Sequence, residues 1–259
     1  SFAFKAGHDI NYLSRAGISC AAGRKDGGPS LYNFQIADVA GGSMNAVASI
    51  LAAIIYREKT GKGQFIDVSM QDSVIPFNSM DGASYFAGGP LPSRESGMLN
   101  GGQIYDFYET SDGEYMSVGS LEPKFFAALC KGLEHPEWSD GKILETDLAT
   151  VKTAFREKFK SKTRAQWTEI FSNLDACVEP VMNLLEVSKD EHLRSRDMRP
   201  SVEVPCTNGV KITQMGCPLN LSECQPEYRH AGYPEGYHTE QILTSLGYND
   251  EQIKEMINS

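Results

Sequence analysis

The sequence predicts an α/β protein, on three observations. Apolar residues recur at helical spacing through residues 43–59, a short β-rich run at 65–70 follows two closely spaced glycines, and two further β-rich runs flank a Thr-Ser-Asp-Gly turn at 110–113. A helix flanked by extended segments suggests a βαβ-type layer over the first 95 residues or so. The hairpin and the helices after it suggest a smaller α+β region.

Each element has its own signal. In 43–59 the apolar positions are Ala46, Val47, Ile50, Leu51, Ile54 and Ile55, and the run closes on basic residues, Gly61 and Gly63. The β-rich run of Phe65, Ile66, Val68 and Met70 comes next, then a mostly apolar helical stretch to about Phe86. Between 88 and 102 the composition turns to Gly, Pro, Ser and Asn, the mark of a linker or an active-site loop. A boundary placed there divides the chain into 1–95, 96–200 and 201–259. Beyond it, 103–108 and 114–119 should pair as a β-hairpin. Pro123 opens a helix with Phe125, Phe126 and Leu129 on one face and Gly132 as its stop. Helices follow at 147–160 and 166–174, the second preceded by Thr163 and Gln166 at capping-box spacing. Residues 201–220 are proline-punctuated and extended, and lead to two terminal helices, 238–246 and 250–258, carrying Ile242, Leu243, Leu246, Ile253 and Ile257.

Composition narrows the function classes. A chain of 259 residues can bury a sizeable core in one large domain or two ordinary ones. No uninterrupted apolar run approaches the roughly 18 residues of a membrane span, so no membrane is expected as a partner. The formal charge of −10 argues against a nucleic-acid partner, and an anionic ligand would need local basic residues. The six cysteines form no CxxC pair and have no histidine at ligand spacing, so neither a metal site nor a disulfide framework is expected. Reduced thiols fit a cytosol-like compartment. No secretory leader is visible, and the chain opens Ser-Phe-Ala-Phe without Met.

Three acid/base candidates stand out by their neighbours: His8 in Ala-Gly-His-Asp-Ile-Asn-Tyr, Asp38 in Ile-Ala-Asp-Val-Ala-Gly-Gly, and Glu122 in Val-Gly-Ser-Leu-Glu-Pro. A charged group among Gly, Ala and apolar residues costs free energy unless something uses it. The bland alternatives are a turn histidine, and two carboxylates that satisfy amides at helix N-termini. On spacing alone, capping is the better account.

Six segments in order change that balance. GHDINY at 7–12, ADVAGGSM at 37–44, REKTGKGQFIDVSMQD at 57–72, SVGSLEPKFF at 117–126, DACVEPV at 175–181 and YHTEQILTSLGY at 237–248 together resemble the α-methylacyl-CoA racemases. These belong to the family III (CaiB/BaiF-type) CoA transferases. The resemblance implies a Rossmann-like large domain at 1–95, without the βα segment that precedes GHDINY in the family. It also implies a small α+β domain at 96–200, a return at 201–259 onto the large domain, and an interlocked homodimer. His8 and Asp38 become the two acid/base groups and Glu122 a hydrogen-bonding partner of the imidazole. Gly7, Asp9, Ile10, Asn11 and Tyr12 match the segment lying against the acyl-CoA substrate, whereas Lys59 and Lys62 match only a surface motif. No cofactor is permanently bound, because coenzyme A arrives as part of the substrate. The expected compartment is the cytoplasm, or a peroxisomal or mitochondrial matrix if the source is eukaryotic.

The chemistry agrees with the pairing. Inverting the carbon beside a thioester needs one group to take the α-proton from one face and another to return a proton to the other. The enolate oxygen must meet preorganised donors, for which the glycines near Asp38 would let backbone approach. An ordinary Asp is a weak proton donor at neutral pH, so Asp38 should sit in an apolar pocket when substrate is bound. A CoA transferase would instead use Asp38 alone, as a nucleophile. A silent acyl-CoA-binding protein is the third reading. The acyl group itself is not legible.

Overall fold

The computed structural model describes residues 4–258 and shows a mixed α/β protein with two small antiparallel sheets. The chain divides into two units, Ser1–Val181 and Met182–Ser259.

Unit 1 opens with helices. They are α1 (Asp9–Arg15), a widely wound π-helical segment (Ile36–Met44), α2 (Asn45–Thr60), α3 (Met70–Val74), a 3-10 turn (Ile75–Asn78) and α4 (Ser79–Phe86). The π winding follows from local side chains that take up backbone carbonyls. Asn45 Nδ2 donates to Ala40 O and Gly41 O at 3.3 and 2.9 Å, and Ser43 Oγ donates to Asp38 O at 3.0 Å. Helix α2 therefore starts two residues later than the apolar spacing suggests. Gly61 ends it in the left-handed region at φ 72°, its amide donating to Arg57 O. Leu13, Ala16, Ala37 and Val74 make a small buried cluster among α1, the π-helical segment and α3.

The expected strand at 65–70 is not formed. Residues 62–69 are irregular, and Phe65 is exposed. A strand exists only as part of a ladder, and among the described residues no neighbour offers this run its backbone groups. The βαβ layer is accordingly absent from the described residues. The apolar stripe of α2 is real, but Val47, Ile50, Leu51, Ile54 and Ile55 are all exposed. Joined to the π-helical segment, α2 makes a 25-residue run, Ile36–Thr60, within which an 18-residue stretch has mean hydropathy 1.6. By length and composition alone it is long and apolar enough to cross a bilayer. The count of consecutive apolar residues did not find it, because Asp38, Ser43, Asn45 and Ser49 interrupt the run.

The larger core of unit 1 lies beyond residue 103. Strands β1 (Asp106–Glu109), β2 (Tyr115–Val118) and β3 (Val178–Pro180) form one sheet in that order. The predicted hairpin pairs Asp106 with Val118 and Glu109 with Tyr115. Helices α5 (Pro123–Gly132), α6 (Lys142–Thr146), α7 (Leu148–Phe159) and α8 (Arg164–Ser172) complete this part. Tyr108, Phe126, Phe155, Phe159 and Trp167 are fully or almost fully buried. The Trp167 indole N–H donates to Phe159 O at 2.8 Å, and the Tyr108 hydroxyl donates to Ile104 O at 3.0 Å, so neither ring buries an unpaired polar atom. Burial raises the Tyr108 pKa well above the ordinary phenol value. Gly132 is the last residue of α5, and packing accounts for it: a Cβ there would lie 2.5 Å from the Phe171 ring.

The Gly/Pro/Ser/Asn stretch at 88–102 is stitched to residues 20–25. Glu95 accepts from the Lys25 amide and from Arg24, the Arg94 guanidinium donates to Arg24 O, and Asn100 Nδ2 donates to Ala21 O. These bonds hold the stretch within unit 1, whose limit falls at 181.

Unit 2 holds α9 (Leu184–Lys189), α10 (Glu191–Ser195), the hairpin β4 (Ser201–Glu203) and β5 (Lys211–Thr213), α11 (Thr239–Ser245) and α12 (Asp250–Asn258). The extended reading of 201–220 is thus two short strands joined by a loop, with Ser201 opposite Thr213.

Candidate active site

His8 stands at the N-cap of α1 with its side chain exposed. Its carbonyl accepts from the Asn11 and Tyr12 amides at 2.9 and 3.3 Å, while Asn11 Oδ1 accepts from the His8 amide at 3.0 Å. This reciprocal cap starts the helix and fixes the backbone from which the imidazole projects. The Tyr12 hydroxyl donates to Gly7 O at 3.4 Å, and a Cβ on Gly7 would come within 3.1 Å of the Tyr12 ring. Glycine there lets the chain turn tightly over the ring. Ile10 is exposed on the first turn of α1.

Asp9 reaches across 28 residues. Its Oδ1 accepts from the Ala37 amide at 2.5 Å and from the Asp38 amide at 3.3 Å. These are N-terminal amides of the π-helical segment, whose own N-cap, Gln35, offers no side-chain acceptor. A carboxylate at such a terminus also suits the positive end of the helix dipole. Asp38 is half-buried in the first turn, between buried Ala37 and the close contact of Gly41 with α3. His8 and Asp38 thus lie on two helix starts joined through Asp9.

Glu122 lies elsewhere in unit 1. It is exposed at the N-cap of α5, where its carbonyl accepts from the Phe125 and Phe126 amides. The turn before it is pinned: buried Ser120 donates to Ala176 O at 2.5 Å, and the Gly119 amide donates to Cys177 O at 2.8 Å. Among the described residues no hydrogen bond or ion pair joins Glu122 to His8 or Asp38. The partnership with the imidazole that the resemblance implies is not made here. Cys177, in the left-handed region at φ 52°, faces this turn, and its thiol pKa is raised by burial and by the charges of Asp175 and Glu122.

A cavity of about 580 Å³ opens beside that turn, with Arg24, Tyr32, Leu99, Tyr105, Phe107 and Cys177 in its wall. Next to it lies a charge cluster that no motif announced. Asp106, with its side chain 5% exposed, meets Arg24 at 2.7 Å and Lys152 and Arg156 at 3.8 Å, and Arg24 also meets Glu95 at 3.0 Å. Burial lowers the Lys152 pKa, against the pull of Asp106. The five members come from four separate stretches of the chain, so no single motif in the sequence could have flagged them. Lys59 and Lys62 are exposed at the end of α2.

A helical start carrying an imidazole is thus tied, through Asp9, to a second carrying a carboxylate among glycines. Residues 2–239 match CoA-transferase family III, and the chain belongs to that family. It is 33% identical over 259 residues to the α-methylacyl-CoA racemase of Homo sapiens, covering 99% of this chain and 66% of that protein. It is 28% identical over 226 residues to the succinyl-CoA:mesaconate CoA-transferase of Haloarcula marismortui, covering 84% and 55%. The crystal structure of a CAIB/BAIF family protein from Brucella suis matches with a TM-score of 0.72 at 21% identity, over 95% of this chain and 64% of that one. At that identity the likeness speaks for the fold. The resemblance read from the six segments is borne out, and the chain spans 66% of the length of the human and mouse racemases.

Proposed function

We propose that the intact protein racemises 2-methylacyl-CoA thioesters at the α-carbon, with His8 and Asp38 as the two acid/base groups. The observation that carries this reading is the tie through Asp9, which holds an imidazole-bearing and a carboxylate-bearing helix start against each other. One group removes the α-hydrogen as a proton, and the electron pair it leaves delocalises into the thioester carbonyl as an enolate. The other group then delivers a proton to the opposite face. Roles exchange with the handedness of the substrate. Coenzyme A enters only as part of the substrate. The working form is a dimer, on the family resemblance.

A second reading has support in the Haloarcula relative, which is a CoA-transferase. In that reaction the Asp38 carboxylate attacks the thioester carbonyl and expels CoA thiolate, leaving an acyl anhydride. The thiolate then attacks the aspartyl carbonyl, giving an aspartyl-CoA thioester and releasing the acid. The test is incubation of the intact protein with one enantiomer of a 2-methylacyl-CoA in heavy water. Solvent deuterium at the α-carbon with loss of optical purity is expected. CoA transfer to an added carboxylate without α-exchange would overturn the racemase reading.

A further inference from the structure

We infer that Asp9 is a positioning residue whose carboxylate sets the backbone of Asp38, and with it the point from which the Asp38 side chain reaches the substrate. The inference rests on the racemase reading for its readout, and on geometry for its substance.

Four observations support it. Both contacts come from one oxygen, Asp9 Oδ1, to consecutive amides, so they fix the direction of the helix start as well as its place. The segment has no side-chain cap of its own at Gln35, so nothing local takes over this task. The opposite side of the segment is already held, because a Cβ on Gly41 would lie 2.7 Å from Val74 Cγ1 and 3.2 Å from Met70 O. Removing the Asp9 carboxylate therefore frees one end of a segment that stays anchored at the other. Finally, Asp9 follows His8 directly in the first turn of α1, so one residue links the placement of the two acid/base groups.

A cap with a merely structural role would lower stability, and all catalytic rates would fall together. A positioning role affects the two faces of the substrate differently. With Asp38 displaced, inversion should fail in both directions, because each direction needs both groups. Deuterium wash-in without inversion should survive for the enantiomer whose α-hydrogen faces His8, since that imidazole can take the proton and return deuterium to the same face.

The experiment uses the intact protein with Asp9→Ala and Asp9→Asn, each enantiomer of a 2-methylacyl-CoA, and heavy water. Circular dichroism follows the fold, and His8→Ala serves as the mirror control. For Asp9→Ala the expected result is loss of inversion by about tenfold to a hundredfold in kcat, KM little changed, and wash-in kept for one enantiomer only. Asp9→Asn retains an acceptor oxygen for the same amides and should restore most of the inversion. Unchanged inversion in Asp9→Ala overturns the inference. So does a parallel fall in wash-in for both enantiomers that Asn does not rescue. If the unsubstituted protein transfers CoA and shows no wash-in, the racemase reading fails by itself. Asp9 is then judged on transfer, which Asp9→Ala must lower and Asp9→Asn restore if Asp38 is the nucleophile it positions.

Discussion

The side chain of Asp9 is joined to the backbone of Asp38, its Oδ1 accepting the Asp38 amide proton at 3.3 Å while holding the Ala37 amide at 2.5 Å. One carboxylate thereby satisfies two orphan donors of a helical start and couples α1 to the segment bearing the second acid/base candidate.

Substitution separates the two chemistries. Asp38→Ala is expected to remove activity under either reading. His8→Ala is expected to lower inversion by roughly 10²–10⁴-fold under the racemase reading and to leave CoA transfer intact under the other. Chiral analysis of recovered 2-methylacyl-CoA, run beside a CoA-transfer assay, distinguishes the outcomes.

Gly41→Ala is expected to disturb the same site by overpacking. The added methyl meets Val74 Cγ1 at 2.7 Å and the Met70 backbone carbonyl at 3.2 Å, and the carbonyl cannot step aside as a flexible side chain could. A loss of about 1–3 kcal/mol in denaturant unfolding, with slower inversion, is the predicted outcome.

The aromatic core should respond to truncation at its centre. Phe159 is fully buried, with ring centroids of Tyr108 and Trp167 at 5.1 and 5.2 Å. Phe159→Ala is expected to cost about 3–5 kcal/mol, read from the shift of the urea midpoint at constant slope.

Acid should loosen the stitch between residues 20–25 and 88–102. The Glu95 carboxyl pKa is held below its ordinary value of 4.5, first by the hydrogen bond from the Lys25 amide and then by Arg24. A pKa depressed in the folded state adds stability that is complete above the unfolded value and is lost as pH falls through the folded one. Unfolding free energy should therefore decline below about pH 4.5, and Glu95→Gln should flatten that part of the profile. A profile that Glu95→Gln leaves unchanged would remove Glu95 from this account.

The thiols should separate by burial. Cys130 is fully buried, and burial pushes its pKa up to about 12, whereas Cys20, Cys177, Cys206 and Cys224 are exposed, Cys177 with its thiol pKa also raised. Mass spectrometry after brief alkylation near neutral pH is expected to find Cys20, Cys206 and Cys224 labelled, Cys177 labelled more slowly, and Cys130 protected until denaturant is added.

Local signals in the sequence translated directly into structure. The turn at 110–113 made its hairpin, and Thr163 and Gln166 made their capping box, because each needs only residues a few positions apart. The strand expected at 65–70 failed for the opposite reason, since its stability depends on a neighbouring strand. The π winding of 36–44 escaped the apolar spacing because side-chain bonds from Ser43 and Asn45 set it.

The same division runs through the site. The sequence by itself determined the family, through ordered segments, and it singled out His8, Asp38 and Glu122 as chemically costly residues in apolar company. Only the tertiary structure decided which of them meet. It joined the His8 and Asp38 segments through Asp9, left Glu122 at the start of α5, and gathered Arg24, Glu95, Asp106, Lys152 and Arg156 into one cluster. Propensity and capping act over a few residues and are written in the local order of the chain. Contacts across 28 to 82 positions exist only once burial and hydrogen bonding have fixed the path between them.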